Sequence, residues 1–218
     1  AVIVMYACFK MGVAVLPVFS GFGPEGLAER LAHAEAKILF TVDGAVRRGK
    51  TIPLKTTADE ALKRETSVEK VVVVRRSGLE VPMKSGRDET WEEFTTGHPD
   101  TAETAHLPAG AVSMIMYTSG TTGKPKGTIY THAGLMTGPG REVRYCFDMR
   151  EGDVMYWVTD FGWVMAPYKL VGSHFGGHTC LLYESVPNHP EPDRLWRIVS
   201  GHKVTHLGRG VSHLAGGH

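Results

Sequence analysis

Apolar residues along this chain are gathered into short uncharged runs, which alternate with segments of helical periodicity. Residues 71–74 are four consecutive valines, a run that suits a strand covered on both faces of a sheet. The apolar runs predict strands at residues 13–19, 37–42, 68–74, 112–117, 128–131, 154–159, 179–183 and 204–207. The remaining segments predict helices at residues 1–11, 24–34, 57–64, 89–94, 132–146, 162–175 and 192–201, the fifth interrupted at Gly138-Pro139-Gly140.

The alternation of strands and helices indicates an α/β fold with mostly parallel sheets flanked by helices. A chain of 218 residues can bury roughly 70% of the surface that it exposes when unfolded, so a substantial core is possible. No internal repeat and no shift in composition marks a boundary between domains. The residues by themselves therefore give no reason to divide the chain.

Composition and charge exclude several classes of protein. Hydrophobic residues make up 42% and charged residues 22%, and a net charge of +1 gives no basis for binding nucleic acid or a membrane surface. No apolar stretch reaches the roughly 20 residues of a membrane-spanning helix. Cys8, Cys146 and Cys180 are odd in number and widely spaced, which argues against a disulfide framework and for a reducing compartment. We therefore expect a cytoplasmic protein that binds neither nucleic acid nor membrane.

A segment rich in glycine, hydroxyl and lysine residues follows the strand predicted at 112–117. It reads Thr118-Ser119-Gly120-Thr121-Thr122-Gly123-Lys124-Pro125-Lys126-Gly127. Because glycine allows positive φ, its backbone N–H groups can turn inward, and the hydroxyl and ammonium groups add further donors for phosphate. The segment is not a Walker loop, since only two residues separate Gly120 from Gly123 and Pro125 opposes an immediate helix start. It predicts a nucleotide triphosphate site, and a flexible surface loop with incidental lysines is the alternative.

The same segment resembles the phosphate-binding signature of the adenylate-forming enzymes. Over nearly the whole chain, the resemblance is closest to the AMP-forming acetyl-CoA synthetases and related short-chain acyl-CoA synthetases. Residues 19–25, Phe-Ser-Gly-Phe-Gly-Pro-Glu, resemble the family's Phe-Gly-Gly-Phe-Ser-Pro-Glu, and residues 47–50 take the place of its Arg-x-Gly-Arg stretch. Residues 160–163 and 186–188 also match the family pattern.

This resemblance implies a fold and a reaction. The fold would be part of the large N-terminal domain of the adenylate-forming enzymes. A carboxylate attacks the α-phosphorus of ATP to give an acyl-adenylate and pyrophosphate, and the CoA thiol then displaces AMP to give a thioester. Mg²⁺ would bridge phosphate oxygens. ATP, CoA, Mg²⁺ and a short- or medium-chain carboxylate are the ligands that the family implies.

The resemblance also assigns roles to individual residues. Lys124 and Lys126 would be catalytic by offsetting negative charge, and the β- and γ-phosphates would be bound by Thr118, Ser119, Gly120, Thr121, Thr122 and Gly123. CoA would be bound by Arg47, Arg48, Gly49, Lys50 and Asn188, and the acyl pocket would be lined by Trp163, Val164 and Met165. A solvated turn at 47–50, an ordinary proline-rich turn at Asn188 and a plain core position for Trp163 are the alternatives.

Two features bear on substrate and metal. Met165-Ala166-Pro167 stand where the family has Thr-Gly-His, and the larger apolar methionine puts strict acetate specificity in doubt. The pairs His174/His178 and His202/His206 have helical spacing but lack the glutamate of a zinc protease and cross predicted helix-to-strand boundaries. We expect no metal site formed by protein side chains.

Several family segments are missing from the 218 residues. They are the adenine-binding segment, the ribose-binding aspartate, the hinge and the small C-terminal domain with its catalytic lysine. We therefore interpret residues 1–218 as a fragment of the N-terminal AMP-binding domain, with residues 208–218 foreign to the family pattern, and expect the fragment alone to be inactive. The alternative is a nucleotide- or CoA-binding module without catalysis. A nucleic-acid binder is disfavoured by the charge, and a carrier-loading adenylation domain by residues 47–55; the oligomeric state stays open.

Overall fold

The computed structural model describes residues 1–118, 126–184 and 186–209. Within these ranges the helices and strands occur in the order α1 (Val2–Met11), α2 (Pro24–His33), β1 (Ile38–Val42), β2 (Ala45–Arg47), β3 (Lys50–Ile52), α3 (Leu54–Ala61), β4 (Lys70–Val74), β5 (Asp88–Thr90), α4 (Trp91–Thr95), β6 (Val112–Thr118), β7 (Lys126–Thr131), α5 (His132–Tyr145), β8 (Val154–Val158), α6 (Met165–Phe175), β9 (Thr179–Leu181), α7 (Arg194–Gly201) and β10 (His206–Arg209).

Two parallel sheets and two antiparallel pairs are formed by these strands. The first sheet has the order β1–β4–β5 and the second the order β10–β8–β9, and every neighbouring pair in both is parallel. The antiparallel pairs are β2–β3 and β6–β7. The predicted α/β fold with parallel sheets is therefore confirmed. None of the helices in the described ranges is long and apolar enough to cross a membrane.

Local sequence signals explain where the first two helices begin and end. Gly12 follows α1 in the left-handed conformation with φ 74°, and the N–H of Val13 returns to the Cys8 carbonyl oxygen at 2.9 Å. Pro24 is the first residue of α2, where its missing N–H has no partner within the helix. Both boundaries were predicted from the sequence.

The valine run forms the most buried strand. Val71, Val72 and Val73 of β4 are at most 1% exposed, as a strand at the centre of a sheet covered on both faces requires. A separate core cluster joins α1 to β6, α5 and α6 and consists of Met5, Met114, Met116, Leu135, Leu170 and Val171. It fixes the strand that leads into the glycine-rich segment.

Two of the predicted elements were wrong. Residues 13–19 are not a strand: Val15 alone bridges Met114, because Pro17 cannot donate to a strand ladder. The predicted interruption of α5 at residues 138–140 does not occur, and Pro139 lies inside the helix. Gly138 lacks the Cβ that would otherwise clash with the following proline ring in helical geometry, and Pro139 is buried. The hairpin β2–β3 and the short strand β5 were not predicted.

A buried ionic cluster anchors α3 beneath the first sheet. The side chains of Lys55 and Asp88 are 0% exposed, and Lys55 Nζ lies 2.8 Å from Asp88 Oδ2 and 2.7 Å from Asp59 Oδ2. Arg87 Nη2 lies 2.6 Å from Asp59 Oδ1. Burial alone would raise the pKa of Asp88, but hydrogen bonds from Arg87, Lys55 and the Lys84 N–H lower it to about 2.

This cluster predicts a loss of stability in acid. The folded-state pKa of Asp88, about 2, lies below its ordinary value of 3.8, so the unfolded chain binds the proton more readily. The stabilising contribution is therefore complete above pH 3.8 and is lost as the pH falls towards 2. Urea unfolding of Asp88→Asn and of the unaltered chain across this range should give curves that converge in acid. A difference in unfolding free energy that does not depend on pH would contradict the prediction.

Candidate functional site

The two strands that flank the glycine-rich segment form an antiparallel pair. β6 ends at Thr118 and β7 begins at Lys126, and these two exposed residues are register partners. The other predicted phosphate ligands and the other predicted catalytic lysine lie outside the described residues: Ser119, Gly120, Thr121, Thr122, Gly123 and Lys124. The described part of this site is therefore its two ends, where a hydroxyl and an ammonium group stand opposite each other.

A buried arginine lies beside the strand that leads into this segment. Arg30 of α2 is 6% exposed, and its guanidinium lies 3.9 Å from the ring centroid of Phe22 and 5.7 Å from that of Tyr117. His33 Nδ1 lies 2.5 Å from the Tyr117 hydroxyl, and burial raises the pKa of Tyr117. The sequence did not reveal this group, because cations on an amphipathic helix usually face water.

The predicted CoA-binding cations lie on the β2–β3 hairpin. Arg47 pairs with Lys50, so their side chains leave the same face of the hairpin. The two residues between them, Arg48 and Gly49, have φ of 51° and 73°, as the type I′ turn of a two-residue hairpin requires. All four residues are exposed. The hairpin therefore presents two adjacent cations to solvent from a regular backbone.

A buried carboxylate fixes the base of this hairpin. The Asp43 carboxylate is 1% exposed and accepts backbone hydrogen bonds of 2.7 to 3.1 Å from Gly44, Arg76, Ser77, Gly78 and Leu79. Burial alone would raise the pKa of Asp43, but these N–H groups hold it well below its usual range. The ionised side chain thereby ties the loop after β4 to the end of β1.

A cleft of about 480 Å³ lies between the hairpin base and the residues that follow β9. It is lined by Gly44, Val46, Arg76, Ser77, Tyr183 and Glu184. Because side chains alternate along a strand, Val46 faces the cleft from the side of the hairpin opposite Arg47 and Lys50. The cleft is thus distinct from the cationic face of the hairpin.

The residues after β9 approach the hairpin at two points. Arg76 donates to one carboxylate oxygen of Glu184 through Nε at 3.0 Å and Nη2 at 2.6 Å. At the hairpin tip, a Cβ added to Gly49 would lie 3.4 Å from His189 Nε2. Asn188, a predicted CoA ligand, is exposed and directly precedes His189. The structure therefore brings the segment that carries Asn188 against the hairpin that carries Arg47 and Lys50.

The predicted acyl-pocket residues lie where β8 passes into α6. Trp163 is 50% exposed, which excludes the plain core position, and its ring centroid is 5.6 Å from that of Phe19. Val164 packs against the core cluster formed by Met5 and its neighbours, and Met165 is the first residue of α6. The indole of Trp163 is therefore half exposed and lies beside the ring of Phe19.

The loop at Asp160 fixes the position of Trp163 against the chain near Phe19. Asp160 accepts hydrogen bonds from the Ser20 hydroxyl at 2.7 Å and from the Gly162 N–H at 2.8 Å. A Cβ added to Gly162 would lie 2.1 Å from the backbone N and Cα of Phe19. The two loops are thus in contact at a point that only glycine can occupy.

The described residues contain no group of three or more His, Cys, Asp or Glu side chains arranged to hold a metal ion. His174 lies in α6 and His178 between α6 and β9, whereas His202 follows the end of α7 and His206 lies in β10. Neither pair therefore lies on one helix face. His174 Nδ1 lies 2.7 Å from the Tyr6 hydroxyl, and His206 Nε2 lies 2.8 Å from the Phe147 carbonyl oxygen.

Comparisons with known proteins connect these features to a family. The sequence profile described as AMP-binding enzyme matches residues 1–209. The chain is 43% identical over 206 residues to acetyl-coenzyme A synthetase of Rhodopirellula baltica, covering 94% of this chain and 31% of that protein. It is 41% identical over 206 residues to acetyl-coenzyme A synthetase of Methanothrix soehngenii, with the same coverage of each.

A solved structure gives the same result for the fold. Acetoacetyl-CoA synthetase from Streptomyces lividans superimposes with a TM-score of 0.88 at 26% identity, covering 98% of this chain and 32% of that one. The chain therefore spans about a third of the length of the relatives that it matches.

Proposed function

Because the chain belongs to the AMP-binding enzyme family, we propose that the full-length protein is an AMP-forming acyl-CoA synthetase for a short- or medium-chain carboxylate. The first step joins the carboxylate to the α-phosphorus of ATP and releases pyrophosphate. In the second step the CoA thiol displaces AMP and a thioester forms. The observation that carries the proposal is the pairing of Thr118 with Lys126 at the ends of the glycine-rich segment.

We propose that β6, β7 and the glycine-rich segment between them bind the triphosphate of ATP. Lys126 would offset negative charge on the phosphate oxygens, and the Thr118 hydroxyl would donate to one of them. We propose the same phosphate-binding role for Ser119, Gly120, Thr121, Thr122 and Gly123 and a catalytic role for Lys124. Reactions of this kind depend on positioning and on charge neutralisation more than on a protein nucleophile.

In this proposal Mg²⁺ enters the site bound to ATP. When bound, it neutralises phosphate charge. Phosphate oxygens would supply its ligands.

CoA would bind at the β2–β3 hairpin. Arg47 is the residue best suited to a CoA phosphate, because guanidinium binds phosphate through two parallel hydrogen bonds, and Lys50 adds a charge on the same face. Arg48, Gly49 and Asn188 complete the proposed CoA-binding set, and the approach of His189 to Gly49 supports the inclusion of Asn188.

The acyl group would lie against Trp163, Val164 and Met165. The exposed part of Trp163 offers an apolar surface. Methionine is flexible and apolar, so Met165 in place of the family's threonine supports a range of short acyl chains rather than acetate alone. The three free cysteines support a cytoplasmic location, where thiols are kept reduced.

The proposal predicts AMP release by the full-length protein. A coupled assay with ATP, Mg²⁺, CoA and either acetate, propionate or butyrate should show turnover that depends on both the carboxylate and CoA. The 218-residue chain alone should show none, since relatives with this activity in their names are about three times as long. Lys126→Ala should lower the rate by about 100-fold, the loss typical of one transition-state donor.

A matched surface variant serves as the control for this assay. Lys37→Ala removes an exposed lysine that is paired with Glu69 and should leave the rate unchanged. Absence of turnover by the full-length protein, together with calorimetric binding of ATP or CoA, would favour the alternative of a binding module without catalysis. Robust turnover by the 218-residue chain would overturn the expectation for that chain.

A further inference from the structure

We propose that Arg76 and Glu184 are positioning residues, whose ion pair holds the segment carrying Asn188 against the hairpin carrying Arg47 and Lys50. This inference rests on the proposed CoA site. Neither side chain is assigned a contact with CoA. Their role is to set the distance between two parts of the site that come from different sheets.

The arginine end of this pair is fixed by backbone contacts. Arg76 lies in the loop after β4, and its own N–H donates to Asp43 Oδ1 at 2.8 Å. Asp43 in turn holds Gly44, the residue just before β2, through a hydrogen bond of 2.7 Å. Since both contacts involve the same buried carboxylate, Arg76 and the base of the hairpin are held in one arrangement.

The glutamate end belongs to the second sheet. Glu184 lies three residues beyond the end of β9 at Leu181, and β9 is paired with β8. Two donors of Arg76 converge on Glu184 Oε2, which fixes the direction of the guanidinium as well as its distance. The ion pair therefore joins the loop after β4 in the first sheet to the segment after β9 in the second.

At the hairpin tip, His189 comes close to Gly49, since a Cβ added to Gly49 would lie 3.4 Å from His189 Nε2. The ion pair lies at the hairpin base, so the residues that follow β9 approach the hairpin at both its base and its tip. Asn188 directly precedes His189 in the chain. Breaking the ion pair should therefore change the separation of Asn188 from Arg47 and Lys50.

Because the Arg76–Glu184 ion pair is exposed, its effect on the geometry of the site can be measured apart from any effect on folding stability. The side chains of Arg76 and Glu184 are 63% and 48% exposed. Exposed ion pairs contribute little to folding, so a variant that breaks this pair should fold normally. An effect on CoA affinity would then reflect the geometry of the site rather than loss of the fold.

Charge reversal and charge exchange test the proposal in the full-length protein. Arg76→Glu and Glu184→Arg should each raise the Kd for CoA about fivefold, because like charges now face each other. The double variant R76E/E184R should return the Kd to within about twofold of the original, since the pair is restored with its ends exchanged. CoA titration calorimetry gives the Kd, and the KM for the carboxylate and kcat at saturating CoA should stay unchanged.

Other outcomes distinguish this inference from the proposed function. If the unaltered protein does not bind CoA, the proposed CoA site fails. If it binds CoA and both single reversals bind equally well, or if both weaken and the exchange does not restore binding, the positioning role is overturned. Arg64→Glu, which reverses an exposed arginine paired with Glu25, is the matched control and should leave the Kd unchanged.

Discussion

Lys55→Ala is expected to destabilise the chain by about 3 kcal/mol, the lower end of the loss typical when one partner of a buried ion pair is removed. Asp88 would remain fully buried without the ammonium group that now lies 2.8 Å from it, although Arg87 would still donate to its carboxylate. The Pro82 carbonyl oxygen would also lose a donor at 2.9 Å. Because whole domains are stable by only about 5–15 kcal/mol, this change is a large part of the total. Urea unfolding measures the difference.

An exposed lysine just beyond the same helix provides the comparison. Lys63 pairs with Glu60, and their side chains are 69% and 49% exposed, so Lys63→Ala should cost no more than about 1 kcal/mol. Equal losses for the two variants would show that the buried cluster contributes no more than a surface pair. Only Pro53 separates the end of β3 from the start of α3, so a shift of α3 would also move the β2–β3 hairpin. Lys55→Ala should therefore also weaken CoA binding in the full-length protein.

Gly162→Ala is the second large effect that we expect, with a loss of about 3 kcal/mol. The added Cβ would lie 2.1 Å from the backbone N and Cα of Phe19, and backbone atoms cannot rotate away as a side-chain end can. The loop at Asp160 would have to move, and Trp163 would move with it. Denaturant unfolding should report the loss of stability, and the KM for the carboxylate should rise in the full-length protein.

Gly201→Ala is the matched control for this substitution. Gly201 is the last residue of α7, and no atom outside its immediate neighbours lies within 4 Å of an added Cβ. Alanine is the better helix former, so stability should be unchanged or should rise by about 0.5 kcal/mol. If both glycine variants proved equally stable, the close contact at Phe19 would not be a constraint in solution.

The periodicity of the sequence was sufficient to predict the fold class, because apolar runs bounded by turn residues can adopt few alternative structures. The buried strand at Val71 to Val73 and the cap at Gly12 were both predicted from residue type alone. Errors arose where neighbours in space decide the outcome. Pro139 suggested an interruption, yet the absence of a side chain at Gly138 and burial beside α6 preserve the helix.

The candidate site was predictable as a set of segments but not as an arrangement. Residues 47–50 were recognised by their order in the chain, whereas their hairpin depends on the pairing of Ala45 with Ile52 and was not foreseen. The roles of Asp43 and Arg76 were missed altogether. A lone aspartate at the end of a strand gives no sign that five backbone N–H groups from two loops will converge on it.

The turn at Arg48 and Gly49 has a consequence for the kinetics of recognition. Both residues already have positive φ and the flanking strands are paired, so at the CoA site that we propose a polyanion binding to Arg47 and Lys50 would meet a preorganised backbone. Within the hairpin, only side-chain rotamers would then have to be ordered on binding. Association at this hairpin should therefore be limited by diffusion and ionic strength rather than by a slow rearrangement of the main chain.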